Sequence, residues 1–372
     1  MHLFNVIKEL RNVSDFDIHL ITRGPLDSNV ADHLEGIECV PLSSISAQQA
    51  TSPRDKSVRG AARYWGTRLD DVYRFQELCN RHQPDAVVAT KPDGYVYLSM
   101  LEKCAKIWYP ADDPVLHQWS LSRMATGFNR YSKLVHAIKQ GYLQFRLRNF
   151  IDQAWFVSAL DAKFASKTLG KSCTRIITNG VDCNTFPVLE NDGALHSCVF
   201  WGRLDFAPNI DALNWFCSNV WPDIRRHFPN AVFNVIGMCP TASLRDLVAR
   251  EPSIVLTENP NSISEHVALS QVALFPFVSG AGIKNKVLEA ASMGKPIVGS
   301  PISRNGLNGQ VPFPICKSPK EWVTAIASLW ESRQLRADHG SQNARWVREN
   351  HSWVLSAKLA AGFLREFISK EI

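Results

Sequence analysis

The sequence predicts an α/β protein built from two doubly wound, parallel-sheet domains. Three observations carry that reading. Short apolar runs alternate with amphipathic segments through both halves, the pattern of β–α–β units. A chain of 372 residues is long for one domain and comfortable for two. The stretch FVSGAGIKNKVLEAASMGKPIVGS, Phe277 to Ser300, reads in order as strand end, glycine loop, helix, tight stop and strand.

That stretch organises the chain. Gly280 and Gly282 leave the loop without side-chain bulk, so backbone can approach a ligand closely. The helix is expected from about Ile283. Its first-turn amides have no helical partners, and the helix dipole adds partial positive charge, which together suit an anion. Lys286 and Glu289 share a face near this end, while Val287, Leu288 and Ala291 offer apolar surface to a core. Gly294 fits a left-handed cap and Pro296 stops the helix. A cation, a carboxylate and unpaired amides at one helix start suit a nucleotide diphosphate: Lys286 would neutralise phosphate, and Glu289 would accept ribose hydroxyls. The plainer reading is a β-loop-α unit with a surface ion pair worth about 0.3–0.5 kcal/mol. On these residues alone both readings stand.

Composition narrows the class. Hydrophobic content of 45% with 20% charged residues is ordinary for a globular protein, and the net charge of +6 is modest but uneven. Nine cysteines are scattered without CxxC or Cys/His ligand spacing, which argues for reduced thiols in a cytoplasmic setting and against a disulfide scaffold or structural zinc. The sequence shows no secretory signal, and no apolar run reaches the roughly 18 residues of a membrane-spanning helix.

The first half, taken as residues 1–190, opens on an amphipathic helix, Met1 to Arg11, followed by a strand at Asp17 to Thr22. Doubly wound domains normally open with a strand and a glycine loop, so the first strand is expected to be missing here. A short strand near Ile37 to Pro41, a polar loop from Ser43 to Ser57 and a helix from Val58 to His82 follow. Asp85 to Thr90 and Ala105 to Pro110 read as buried strands, with a helix at Tyr95 to Lys103 between them. After the second strand, Asp112 and Asp113 precede Pro114, and His117 lies four beyond Asp113. Asp113 or His117, at a strand's carboxyl end, is a candidate contact for a ligand or a reacting hydroxyl; the other role for at least one aspartate is to cap the helix that Pro114 begins. Residues 114–151 lack acidic groups and interleave Arg123, Arg130, Lys133, Lys139, Arg146 and Arg148 with aromatic residues. Peripheral contact with an anionic membrane, or with a phosphorylated acceptor, is one reading. A helical face whose aromatics pack inward is the other. No motif supports nucleic-acid binding.

Asn179-Gly180 marks a turn, and Pro187 to Ala194 reads as a linker. A second α/β unit, residues 195–350, starts with the buried strand Cys198 to Trp201 and continues into Gly202 and Arg203. A helix follows near Pro208, with Asp205 as its expected N-cap and Asp211 in its first turn. Gly237 ends the next strand, where it lets the chain pass close to a ligand. Residues 351–372 form a terminal apolar-faced helix.

Three ordered segments resemble retaining GT-B glycosyltransferases, glycosyltransferase family 4. They are Gly280, Gly282, Lys284, Lys286, Leu288, Glu289, Ala290, Gly294, Pro296, Ile297 and Val298; Val199 to Gly237; and Ile177 to Asp182. Together they span Ile176 to Gly306. The resemblance implies two Rossmann-like domains facing a cleft, the first holding a glycan or lipid-linked acceptor and the second a UDP- or GDP-type sugar donor. It also implies a terminal helix that returns to the first domain, no metal or other cofactor, and a cytoplasmic setting such as polysaccharide synthesis, peripheral to the membrane's inner face. By resemblance Arg203 reaches the donor diphosphate, and Gly202, Gly237, Ala281 and Ile283 line the donor through their backbones. Two positions depart from the family: Asn209 stands where many relatives carry Lys, and Ala281 where a Glu contacts the sugar. Lys286 or Lys284 is expected to replace the first charge, and the amides of Ala281 to Ile283 the second contact. Two rival functions share these features, a sugar-nucleotide epimerase and a non-catalytic binder of nucleotide sugars or polyanions.

Overall fold

The computed structural model describes residues 2–25, 34, 36–44, 56–170, 172–280 and 282–368. Contacts divide the chain into two units, one comprising residues 1–178 and 356–372, the other 179–355.

The first unit runs α1 (His2–Val13), β1 (His19–Thr22), β2 (Glu38–Pro41), α2 (Lys56–Trp65), α3 (Leu69–His82), β3 (Ala86–Thr90), α4 (Gly94–Leu98), β4 (Ala105–Ala111), α5 (Pro114–Met124), α6 (Gly127–Leu147), β5 (Gln153–Phe156), α7 (Ala159–Leu169) and β6 (Thr174–Ile176). Strands β3 to β6 form one parallel sheet in sequence order. Among the described residues β1 and β2 pair only with each other, also in parallel. Ile21 and Val40 pack on the same core as Val72, Phe75, Trp108 and Phe156, so packing rather than a shared ladder attaches the pair.

Sequence and structure differ here for local reasons. The helix expected from Val58 to His82 breaks after Trp65, because Gly66 turns to φ 67°. The helix expected to Lys103 stops at Leu98, where the Ser99 hydroxyl bonds back to the Val96 carbonyl. Residues 114–151 form two helices, parted before Gly127 at φ 57°. Most of their aromatics face outward: Phe128 is 83% exposed and Tyr131, Tyr142 and Phe145 are exposed with it, as is the aliphatic Ile138, while Phe150 packs on the core. Most of the Ser43 to Ser57 loop lies outside the described residues.

The second unit runs β7 (Ala194–Arg203), α8 (Ala207–Asn219), α9 (Trp221–His227), β8 (Val232–Met238), α10 (Ala242–Arg250), β9 (Ile254–Glu258), α11 (Ile263–Ala268), β10 (Ser270–Phe275), α12 (Asn285–Ser292), β11 (Ile297–Gly299), α13 (Pro319–Glu331) and α14 (Arg333–Asn350). α15 (Trp353–Ile368) carries the chain back into the first unit from Ser356 onward. The parallel sheet has the order β11-β10-β7-β8-β9. The middle of β7 and all of β10 and β11 are buried, as a parallel sheet requires, while the edge strand β9 leaves Val255 exposed. From β7 the chain winds outward through β8 and β9, then crosses back to β10 on the other side of β7. Winding therefore reverses between β7 and β10. In open α/β sheets ligands bind at that switch, outside the carboxyl ends of the strands.

Candidate active site

Two glycines shape the switch point. Gly202 and Gly237 sit opposite each other in the β7–β8 register. A Cβ on Gly237 would lie 1.8 Å from the Gly202 carbonyl oxygen, so neither strand end has room for a side chain there. Gly202 adopts φ 142°, and a Cβ on it would meet the Lys286 ammonium at 2.4 Å. The volume that Gly202 gives up is thus filled by a cation carried on α12.

Lys286 is held by chemistry from three elements. Its Nζ donates to Asn209 Oδ1 on α8 at 2.9 Å, and Asn209 in turn donates through Nδ2 to the Arg203 carbonyl at 2.6 Å. The ammonium lies 4.5 Å from the Phe200 ring centroid and 5.5 Å from that of Phe277, a cation–π setting. Burial drags its pKa from 10.5 down to about 7, while Glu289 pulls it upward and Lys284 downward. Glu289 accepts from the Trp201 indole Nε1 at 2.8 Å. Burial raises its pKa, opposed by the Trp201 hydrogen bond and the Lys286 charge. Near neutrality this site therefore holds an ammonium poised between charged and neutral forms, beside a carboxyl group with the opposite tendency. The position expected to lack charge, Asn209, is the one that holds the replacement lysine.

The glycine loop is braced separately. Gly280 and Gly282 have φ 101° and 73°, conformations suited to glycine. Lys284 Nζ donates to the carbonyls of Gly280 at 3.3 Å and Gly282 at 3.0 Å, which turns this cation onto the loop itself. Ser279 ties the loop to Asp211 at 2.9 Å. Lys284 is the N-cap of α12, which starts two residues later than expected, and its side chain makes no capping bond. Ala281 lies outside the described residues.

Other expected residues fall elsewhere. Leu288 is fully buried in the core and offers no surface to a donor. Ile283 is partly buried against that core. The Arg203 guanidinium is exposed and forms a two-point pair with Asp205, Nε to Oδ1 at 3.0 Å and Nη2 to Oδ2 at 2.6 Å. That pairing takes the carboxylate expected to cap α8; the N-cap is Phe206, and no acidic residue occupies the first turn.

In the first unit Asp113 is 0% exposed. It caps α5 by accepting from Leu116 N at 2.7 Å, and its second oxygen accepts from Gln144 Nε2 at 3.2 Å. Burial raises its pKa to about 6. Both oxygens are committed within the fold, so the capping role is the one the geometry gives it. His117, one turn on, is exposed.

The sequence did not reveal a second polar cluster at the carboxyl ends of β1 and β3. The Asp93 carboxylate accepts from Thr67 Oγ1 at 2.9 Å and pairs with Arg23, which also donates to Tyr97 Oη at 3.2 Å. Trp65 Nε1 donates to Tyr95 Oη at 2.6 Å. Lys91 and Ala111, just past β3 and at the end of β4, take φ 65° and 71°, strained for residues with a Cβ.

No curated protein matches the chain in sequence. Anabaena HepE, solved in complex with UDP and glucose, aligns with a TM-score of 0.64 at 14% identity, covering 98% of this chain and 94% of that one. Sucrose-phosphate synthase from Thermosynechococcus elongatus gives 0.67 at 11% identity, covering 98% and 92%. S. aureus TarM gives 0.61 at 12% identity over 80% of this chain, which spans only 58% of TarM. At such identities the likeness is one of fold. Residues 196–332 match the family model described as Glycosyl transferases group 1, and the chain as a whole has the parallel-sheet α/β fold of GT-B glycosyltransferases.

Proposed function

We propose that this protein is a retaining glycosyltransferase that moves a sugar from a nucleotide-diphosphate donor to an acceptor hydroxyl. One observation carries the reading: the Lys286 ammonium occupies the space left by Gly202 at the sheet's switch point, beside Glu289 and the uncapped start of α12. The family model across this region and the UDP-bound HepE structure support it, and make UDP the first base to test.

In this mechanism the diphosphate lies across the glycine loop and the α12 amides. Lys286, partly neutral in the empty site, takes up a proton as the anion arrives and then stabilises charge on the leaving diphosphate. Arg203 exchanges Asp205 for a phosphate, since its planar fork suits either partner. Glu289 accepts the ribose hydroxyls. The bond from the anomeric carbon to the phosphate oxygen breaks while the bond to the acceptor oxygen forms on the same face. The acceptor's proton passes to the leaving phosphate, so no protein base is required and the step needs no metal. His117, exposed one turn beyond the helix start that Asp113 caps, is proposed as an acceptor contact.

The acceptor is proposed to be a glycan or lipid-linked hydroxyl met at a membrane surface. Exposed Phe128, Tyr131, Ile138 and Tyr142 rise from helices that carry no acidic group between 114 and 151. Such a face suits the interface of an anionic bilayer. Among the described residues no helix is long and apolar enough to cross a membrane.

Incubation with UDP- and GDP-sugars and a mixed acceptor set tests the function. Release of nucleotide that requires acceptor, with the donor's anomeric configuration kept in the product, supports it. Donor consumption without acceptor would indicate an epimerase, and binding without turnover a sensor.

A further inference from the structure

We propose that His19, Glu38 and His82 form a binding site for a divalent transition metal of the zinc type, which clamps the β1–β2 pair to the end of α3. Among the described residues this is the group of three metal-capable side chains whose donor atoms all lie within 4.8 Å of one another. His19 and Glu38 open β1 and β2 and face each other in the parallel register. His82 is the last residue of α3. His19 Nδ1 stands 2.7 Å from Glu38 Oε2, and the His19 and His82 rings have centroids 4.8 Å apart.

Two imidazoles and one carboxylate are a donor set that zinc, cobalt and nickel accept, with water completing the shell. A tetrahedral zinc with bonds near 2.1 Å needs donors about 3.4 Å apart. The three side chains are exposed, so small rotamer changes close the remaining distance. The outer shell is also present: His19 Nε2 lies 3.3 Å from Asp17 Oδ2. A carboxylate on the second ring nitrogen fixes the tautomer that leaves Nδ1 as the ligand. The sequence hides this site because its ligands come from three separate elements with no motif spacing.

Placement indicates a structural role. His19 and Glu38 mark the amino-terminal ends of their strands, away from the carboxyl ends where ligands bind. The β1–β2 pair shares no ladder with β3 to β6 among the described residues, so a metal joining it to α3 would strengthen the attachment of Arg23, the residue that reaches Asp93.

The test is calorimetric titration of the tag-free, chelator-stripped full chain with zinc chloride, with melting temperature followed in parallel. One equivalent should bind with micromolar or tighter affinity and raise the melting temperature. His19→Ala and His82→Ala should each abolish the binding, and Asp17→Asn should weaken it about 10-fold by loosening the ligand tautomer. His227→Ala, at an exposed histidine on α9, should leave it unchanged. These positions are exposed, and circular dichroism will show the variants folded. Absence of saturable binding below about 100 μM zinc, or equal affinity in the His19 and His82 variants, overturns the proposal.

Discussion

Replacing Lys286 with methionine should stabilise the protein while weakening its donor binding. The side chains are similar in length, so packing beside Phe200 and Phe277 changes little. The electrostatic change is large. Burial takes the lysine pKa from 10.5 to about 7. At about 1.4 kcal/mol per unit, holding the proton in the folded state costs roughly 5 kcal/mol, and roughly 4 at pH 7, where half the molecules have released it. The residue as a whole is half-buried, so solvent screening reduces that sum, and the Asn209 carbonyl left without its donor costs about 1–3 kcal/mol. A net gain of about 1–2 kcal/mol at pH 7 is expected. Its pH dependence is diagnostic. The unfolded lysine keeps its proton up to pH 10.5 and the folded one only to about 7, so wild-type stability rises across that window. The variant has no such rise, and its advantage should vanish by about pH 10. Urea unfolding of both proteins at pH 7, 8.5 and 10 measures this directly. A variant less stable than wild type at pH 7, or a difference unchanged with pH, would refute the buried-cation reasoning.

Further outcomes follow from other contacts. Gly237→Ala places a Cβ against the Gly202 carbonyl, backbone on backbone, and should cost about 2–4 kcal/mol in urea unfolding. His351 is buried, bridging the Asn179 carbonyl and the Asn308 amide, and burial lowers its pKa below 6.5. The unfolded chain therefore binds the proton first, and stability should fall as pH drops below 6.5, by up to about 1.4 kcal/mol per pH unit. His351→Gln should flatten that slope in acid titrations followed by fluorescence. Phe128→Ser with Ile138→Ser should reduce co-sedimentation with anionic phospholipid vesicles several-fold; unchanged sedimentation would remove the membrane contact from the account.

The parallel architecture was legible because its strands are continuous apolar runs and its helices carry plain stop signals such as Gly294 at φ 65°. The glycine loop and α12 were legible for the same reason, and spacing alone put Lys286 and Glu289 on one face. What spacing could not supply was the partner of each charge. Asn209 looked like a lost lysine, yet it is what seats Lys286. Asp205 looked like a cap until Arg203 claimed it. Leu288 belongs to a motif but serves the core. Arg23, Asp93 and Tyr97 are separated by long stretches of chain, and only folding brings them together. The aromatics of α5 and α6 were ambiguous because a basic helix reads alike whether its rings face inward or out. A hydrophobic pattern reports which elements must be buried; it does not report which polar atoms meet.

Lys286 is proposed to meet the donor's diphosphate. Calorimetric titration of UDP-sugars and GDP-sugars at pH 7, in buffers of different ionisation enthalpy, tests it most directly. These donors have no ionising phosphate near neutrality, so proton uptake reports on the protein. One nucleotide class should bind with uptake of about half a proton per site, and Lys286→Met should weaken binding by about 10- to 150-fold and abolish the uptake. Binding without proton uptake, or uptake that survives in the variant, would place the diphosphate elsewhere.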